Sequence, residues 1–181
     1  MDNPIRAVST KTVYQNPWIK VREDSIVRTD GTEGIYGVME SKDSVMVVVL
    51  NDKHEVYLIH AFSYPVMSWS WELPGGGGEG ELAETASKRE LAEETGIIAE
   101  HWTHLGKTRV CNGLMTERMS VYLAQDLSFG DKVESEDADV INKGRFFSLD
   151  EIDTMIEEGD IDDGQTITGL YQLHRWLKKQ Q

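Results

Sequence analysis

Four consecutive glycines, Gly75–Gly78, stand between a strand-rich stretch and a stretch of Ala, Leu, Glu and Lys. Glycine loses the most backbone freedom on ordering and packs no side chain, so the run predicts a loop rather than regular structure. Upstream, β-branched and aromatic residues predict strands at Thr12–Gln15, Trp18–Val27, Ile35–Glu40, Ser44–Leu50 and Glu55–Phe62. Thr29-Asp30-Gly31 and Asn51-Asp52-Lys53 supply turns between them. Val45–Leu50 is apolar at every position, as suits a strand buried on both faces. Downstream, Leu82–Thr95 predicts a helix closed by Gly96, with Leu82, Ala83, Ala86 and Leu91 on its apolar side. Strands follow around His101–Arg109 and Arg118–Ala124. Ser148-Leu149-Asp150-Glu151 is a capping-box pattern opening a helix that stops at Gly159. A last helix starts near Gln165, with Ile167, Leu170, Tyr171, His174 and Leu177 at helical spacing. Strands first, one helix mid-chain and helices last predict an α+β fold, a single layered domain over residues 1–181 whose first 42 or so form a β extension.

The chain has 181 residues, enough for one sizeable core. No apolar run approaches the roughly 20 residues that span a bilayer, and no secretory signal precedes the first strand, so a cytoplasmic protein without membrane attachment is expected. Cys111 is the sole cysteine, read as a buried or half-buried thiol; no disulfide within the chain can form. A net charge of −14 argues against a nucleic-acid partner, because neutralising phosphates takes clustered Lys and Arg. An acidic protein that handles an anionic phosphate must bring positive charge to its site, and a divalent metal is the obvious source.

Glu90, Glu93 and Glu94 stand at i, i+3 and i+4, so their carboxylates project from one face of the mid-chain helix. A solvated acidic face is the plain alternative. Against it, Glu93 and Glu94 fall in the last helical turn, where the helix dipole disfavours anions. The glycine run just before the helix also lets backbone approach a ligand closely. Clustered carboxylates with loop carbonyls suit a hard octahedral cation, Mg²⁺ or, in substitution, Mn²⁺.

Gly75-x5-Glu81-x7-Arg89-Glu90-Leu91-x-Glu93-Glu94-x-Gly96-Ile97 resembles the Nudix box at every defined position. The resemblance implies a Nudix fold, an α/β/α sandwich around a mixed β-sheet, with residues 75–97 as loop, helix and loop. It implies that Glu90, Glu93 and Glu94 hold Mg²⁺, helped by a backbone carbonyl at or beside Gly75. Arg89 and Glu81 would form an ion pair that orients the helix. The loop from Leu73 to Glu81 is one residue shorter than in many relatives, which leaves the metal-binding carbonyl open among Pro74, Gly75 and Gly76.

Beyond the box, Val13–Asp24, Ser63-Tyr64-Pro65, Trp69–Pro74, Asn112–Arg118 and Phe146–Leu149 are similar to the ADP-ribose and nucleoside diphosphate sugar pyrophosphatase branch. That resemblance implies a homodimer whose N-terminal strands help build the partner's site. It implies attack of water on a phosphorus of the diphosphate, with a carboxylate as base. Glu136 is favoured as that base, then Asp139, both in the acidic stretch 134–139, with Glu117 as a further candidate. Arg28 and Arg109 are candidates for phosphate or ribose contacts. Trp71 is a candidate for stacking on the base, although it shares a strand face with Trp69, and at least one of the two belongs to the core. Ser63 stands where the branch commonly carries a phosphate-binding Arg, and Asn112 where ADP-ribose specialists tend to carry Pro. ADP-ribose, a GDP-sugar or another nucleotide sugar, and a dinucleotide therefore all remain as substrates. The competing readings are a housecleaning nucleoside triphosphate pyrophosphatase and a non-catalytic nucleotide-sugar-binding Nudix domain.

Overall fold

The computed structural model describes residues 3–78, 80–130 and 140–180. Its contacts divide the chain into two compact units, Met1–Asp43 with Arg109–Arg118, and Ser44–Thr108 with Met119–Gln181.

The first unit is built on an antiparallel sheet of β1 (Ile5–Gln15), β2 (Lys20–Arg28) and β3 (Glu33–Glu40), in that order. Trp18 lies outside the strand predicted from it and is 78% exposed. The reason is local: the Asn16 side chain accepts from the amides of Trp18 and Ile19 at 2.9 and 2.8 Å, closing a turn that also contains Pro17. Segment 109–118 adds to this unit through Met39, whose amide donates to the Leu114 carbonyl and whose carbonyl accepts from Thr116. Cys111 sits here and is exposed, not buried, because it opens a surface turn in which its carbonyl accepts from the amides of Leu114 and Met115. Val8, Val13, Tyr14 and Ile35 are exposed on these strands.

The second unit is built on a mixed sheet of β4 (Ser44–Leu50), β5 (Val56–Ser63), β6 (Ser68–Glu72), β7 (Gly75–Gly77), β8 (Ile97–Arg109), β9 (Arg118–Phe129) and β10 (Ile141–Phe147). The order is β10-β5-β4-β9-β8, with β6 beside β5 and β7 beside β4. β4 pairs in parallel with β9, from Ser44 with Met119 to Val49 with Ala124, and antiparallel with its other partners. Val45–Leu50 is buried throughout, and alternation sends its side chains to opposite faces. Val47 and Val49 meet Leu91 of α1 (Ala83–Thr95), together with Ile97 and Ala124. On the opposite face, Gly169 of α3 (Gly164–Gln180) approaches Leu73, Val48 and Val121. Helices thus cover both faces of one mixed sheet, the α/β/α sandwich.

α2 (Leu149–Glu158) opens with the capping box: Ser148 Oγ accepts from the Glu151 amide at 3.2 Å, and Glu151 accepts from the Ser148 amide at 2.8 Å. Gly159 closes it in the left-handed conformation, as Gly96 closes α1. Three details depart from the sequence expectation. Leu82 is 80% exposed because it is the N-cap of α1, with extended backbone, and never joins the helical stripe. α3 buries Thr166, Gly169, Leu170 and Leu173, so Ile167, Tyr171 and His174 line an outer groove with α2. Gly75–Gly77 is a strand, because its backbone pairs with Ser44–Met46.

Replacing Leu91, fully buried between α1 and β4, by Ala should lower stability by about 2–5 kcal/mol in urea unfolding.

Candidate active site

The site is built where β7 runs between β4 and α1. Gly75 and Gly76 have ordinary negative-φ backbone; what they lack is room. A Cβ on Gly75 would fall 2.3 Å from the Val45 carbonyl oxygen, and one on Gly76 would fall 2.7 Å from the Glu90 carboxylate. The glycines serve close approach, here of one backbone to another and to a carboxylate. The Gly75 amide donates to Glu94 Oε2 at 2.9 Å, and the Pro74 carbonyl accepts from the Val47 amide at 2.8 Å. Glu90, only 7% exposed, and Glu94 therefore meet consecutive residues of the same strand.

Arg89 ties the cluster together. Its Nη1 lies 3.0 Å from both Glu90 and Glu93, its Nη2 donates to the Gly77 carbonyl at 3.0 Å, and its Nε is 3.5 Å from Glu81. One guanidinium so offsets part of the repulsion among neighbouring carboxylates, in the fixed fork geometry that only Arg offers. Among the described residues, no three acidic or imidazole side chains converge on one point; Glu90 and Glu93 turn toward Arg89. Carboxylate oxygens are hard donors, the chemistry that suits a divalent cation, and the missing Cβ of Gly76 lets the Glu90 carboxylate lie against the glycine backbone.

The other sequence candidates are distributed more widely. Glu136 and Asp139 lie outside the described residues. Glu117 belongs to the first unit, where its carboxylate accepts from Ser41 Oγ at 3.3 Å. Arg28, at the end of β2, lies across Gly34, and Arg109 ends β8 as an exposed side chain. Ser63 ends β5, paired with Ser68. Trp71 and Trp69 share a face, opposite His60 and Phe62. The His60 ring stacks on Trp69 at 5.2 Å and tilts against Trp71 at 5.0 Å. Trp71 also meets Phe147 edge-on at 4.7 Å and lies under Lys143 Nζ at 5.1 Å. Its ring is engaged on several sides, whereas Trp69 is the more exposed of the two.

Sequence reasoning did not single out Glu72, at the end of β6. Burial pushes its carboxyl up to about 7, and the nearby charges of Asp163 and Asp162 add to the effect. Neither the burial nor the approach of Asp162 and Asp163, ninety residues on, could be read from the sequence.

A family model, described as NUDIX domain, matches residues 40–169, and a second, described as Nucleoside diphosphate sugar hydrolase N-terminal domain, matches residues 5–39. The chain belongs to the Nudix family. It is 26% identical to the ADP compounds hydrolase NudE of Escherichia coli (strain K12), over 96% of this chain and 93% of that protein. It is 23% identical to an ADP-ribose pyrophosphatase of Mycobacterium tuberculosis, over 96% of this chain and 84% of the relative. A crystal structure of an ADP compounds hydrolase superposes with a TM-score of 0.87 at 23% identity, covering 98% of this chain and 96% of that one, which establishes the likeness of fold.

Glu72 keeps its proton in the folded state above the pH at which the unfolded chain, near the ordinary 4.5, releases it. Its contribution to stability is therefore complete below about pH 4.5 and is lost as pH rises through 7. Glu72→Gln should gain about 1–2 kcal/mol on the wild type at pH 8, a figure discounted for partial solvent screening. The gain should shrink toward zero at pH 5, as read by urea unfolding at both values.

Proposed function

We propose that the chain is a Mg²⁺-dependent pyrophosphohydrolase that cleaves the diphosphate of ADP-ribose or another nucleoside diphosphate sugar to a nucleoside monophosphate and a sugar phosphate. The observation that carries this reading is the glycine strand held against Glu90 and Glu94, with Arg89 bridging Glu90 and Glu93. Support for the substrate class comes from the match of residues 5–39 to the nucleoside diphosphate sugar hydrolase N-terminal model, and from the relatives named for ADP compounds and ADP-ribose. We read residues 1–181 as one Nudix domain with a β extension over roughly the first 42.

In this reading Glu90, Glu93, Glu94 and the Gly75 carbonyl hold Mg²⁺, for which Mn²⁺ substitutes. The Pro74 carbonyl is already engaged by Val47, which favours Gly75 over it. The bound cation supplies charge neutralisation at the diphosphate. Arg89, restrained by Glu81 and the Gly77 carbonyl, keeps the carboxylates oriented. Glu136, then Asp139, takes the proton of the attacking water, with Glu117 as the alternative. Arg28, Ser63, Arg109 and Trp71 contact the substrate. A homodimer is supported by the apolar side chains Val8, Val13, Tyr14 and Ile35, exposed on the three-stranded sheet. No helix among the described residues is long and apolar enough to cross a membrane, and we read the protein as cytoplasmic.

The test is phosphate release, after phosphatase coupling, from ADP-ribose, GDP-mannose, other nucleotide sugars and dinucleotides with Mg²⁺, and pyrophosphate release from nucleoside triphosphates without the coupling phosphatase. Turnover should concentrate on a nucleoside diphosphate sugar and fall by at least about a hundredfold in Glu94→Gln. Turnover restricted to triphosphates would instead identify a housecleaning enzyme. Gly76→Ala should also lose about a hundredfold in kcat, because its methyl must displace the Glu90 carboxylate.

A further inference from the structure

We infer that Thr166 of α3 is a positioning residue that sets the depth of the glycine strand under Glu90 and Glu94. This inference rests on the reading of the cluster as the catalytic metal site. The strand changes partners between Glu72 and Gly75: β6 pairs with β5, while β7 pairs with β4. At that crossing Pro74 has no amide hydrogen to donate. The Leu73 amide finds its acceptor not in the sheet but in Thr166 Oγ1, at 3.1 Å. Thr166 is fully buried, so no solvent stands in as a partner.

Thr166 is itself fixed. Asp163 caps α3, accepting from the Thr166 amide at 2.7 Å and from the Gln165 amide at 3.3 Å. One turn on, Gly169 lets the buried Leu73 side chain lie against the helix; a Cβ there would fall 2.6 Å from Leu73 Cδ1. Residue by residue, Leu73 is held by α3, Pro74 by Val47, Gly75 by Glu94, and Gly76 lies against Glu90. A shift of Leu73 away from α3 is passed on within two residues to the groups that hold the cation. Threonine offers an acceptor on a short, branched and therefore stiff side chain. Valine keeps that shape and removes the acceptor; serine keeps the acceptor.

The experiment compares Thr166→Val, Thr166→Ser and, as a control for stability alone, Ile152→Val in the buried face of α2. Amide exchange at Leu73 and Gly75 should quicken about tenfold in Thr166→Val, the scale set by leaving a buried donor unpaired. Half-saturation by Mn²⁺, followed by electron paramagnetic resonance, should rise about as much, and kcat should fall while KM for the nucleotide sugar stays within about twofold. Thr166→Ser should return all of these toward the wild type. Should Thr166→Val not fold, Gly169→Ala carries the same test, because it pushes Leu73 from the same helix. If Thr166→Val, or Gly169→Ala in its place, binds Mn²⁺ and exchanges at Gly75 like Ile152→Val, the positioning role is overturned. A wild type that turns over no nucleotide sugar would sink the proposed activity, and the exchange and Mn²⁺ readings would still decide the role of Thr166.

Discussion

The backbone of Gly75 and Gly76 occupies a slot too narrow for any side chain. On one side stands the carbonyl of Val45 and on the other the carboxylate of Glu90. Most of the second unit is arranged around that slot. β4 is buried on both faces, so its position is fixed by α1 on one side and by contacts with α3 on the other. α1 is fixed by Leu91 against Val47 and Val49, and its polar side is delivered to the glycines as a consequence. The close packing of protein interiors makes such an arrangement stiff, since a core element cannot move without opening voids.

Electrostatics works against the arrangement. Three carboxylates within one helical turn repel, and the helix dipole adds to the cost near its C-terminus. α1 carries no basic residue in its last turn to compensate. Arg89 is the compensation that the structure provides, contacting three acidic side chains and one glycine carbonyl at once. A chain of net charge −14 can hardly attract an anionic diphosphate by its overall field. Positive charge has to be concentrated locally, which is the chemical role that a divalent cation fills.

Much of this was legible from residue order. The box spacing placed Glu90, Glu93 and Glu94 in one helix, and the capping box at Ser148 and the closing glycines at Gly96 and Gly159 marked helix ends, because these signals are local. The glycine strand was not legible. Glycine has poor strand propensity, and what makes Gly75–Gly77 a strand is a partner some thirty residues earlier in the chain, at Ser44–Met46. The buried face of α3 was misjudged by about one residue because Thr166 and Gly169 face the core for specific contacts with Leu73, while large apolar residues such as Tyr171 face outward. The raised carboxyl of Glu72 depends on burial beside a connector ninety residues away, which no window along the sequence contains.

The parallel pairing of β4 with β9 joins residues that are far apart in the chain, Ser44 with Met119 and Val49 with Ala124. During synthesis Val45–Leu50 emerges long before the strand that will cover its edge exists. For that interval a run of six apolar residues is an unpaired edge of the kind that seeds aggregation. Closing so long a loop is entropically slow, and non-local strand pairing sets the pace of folding in such topologies. The glycine strand and α1, by contrast, follow β4 closely and can meet it early. The chemistry of the box can thus take shape locally, while the sheet that makes it permanent waits for the last third of the chain.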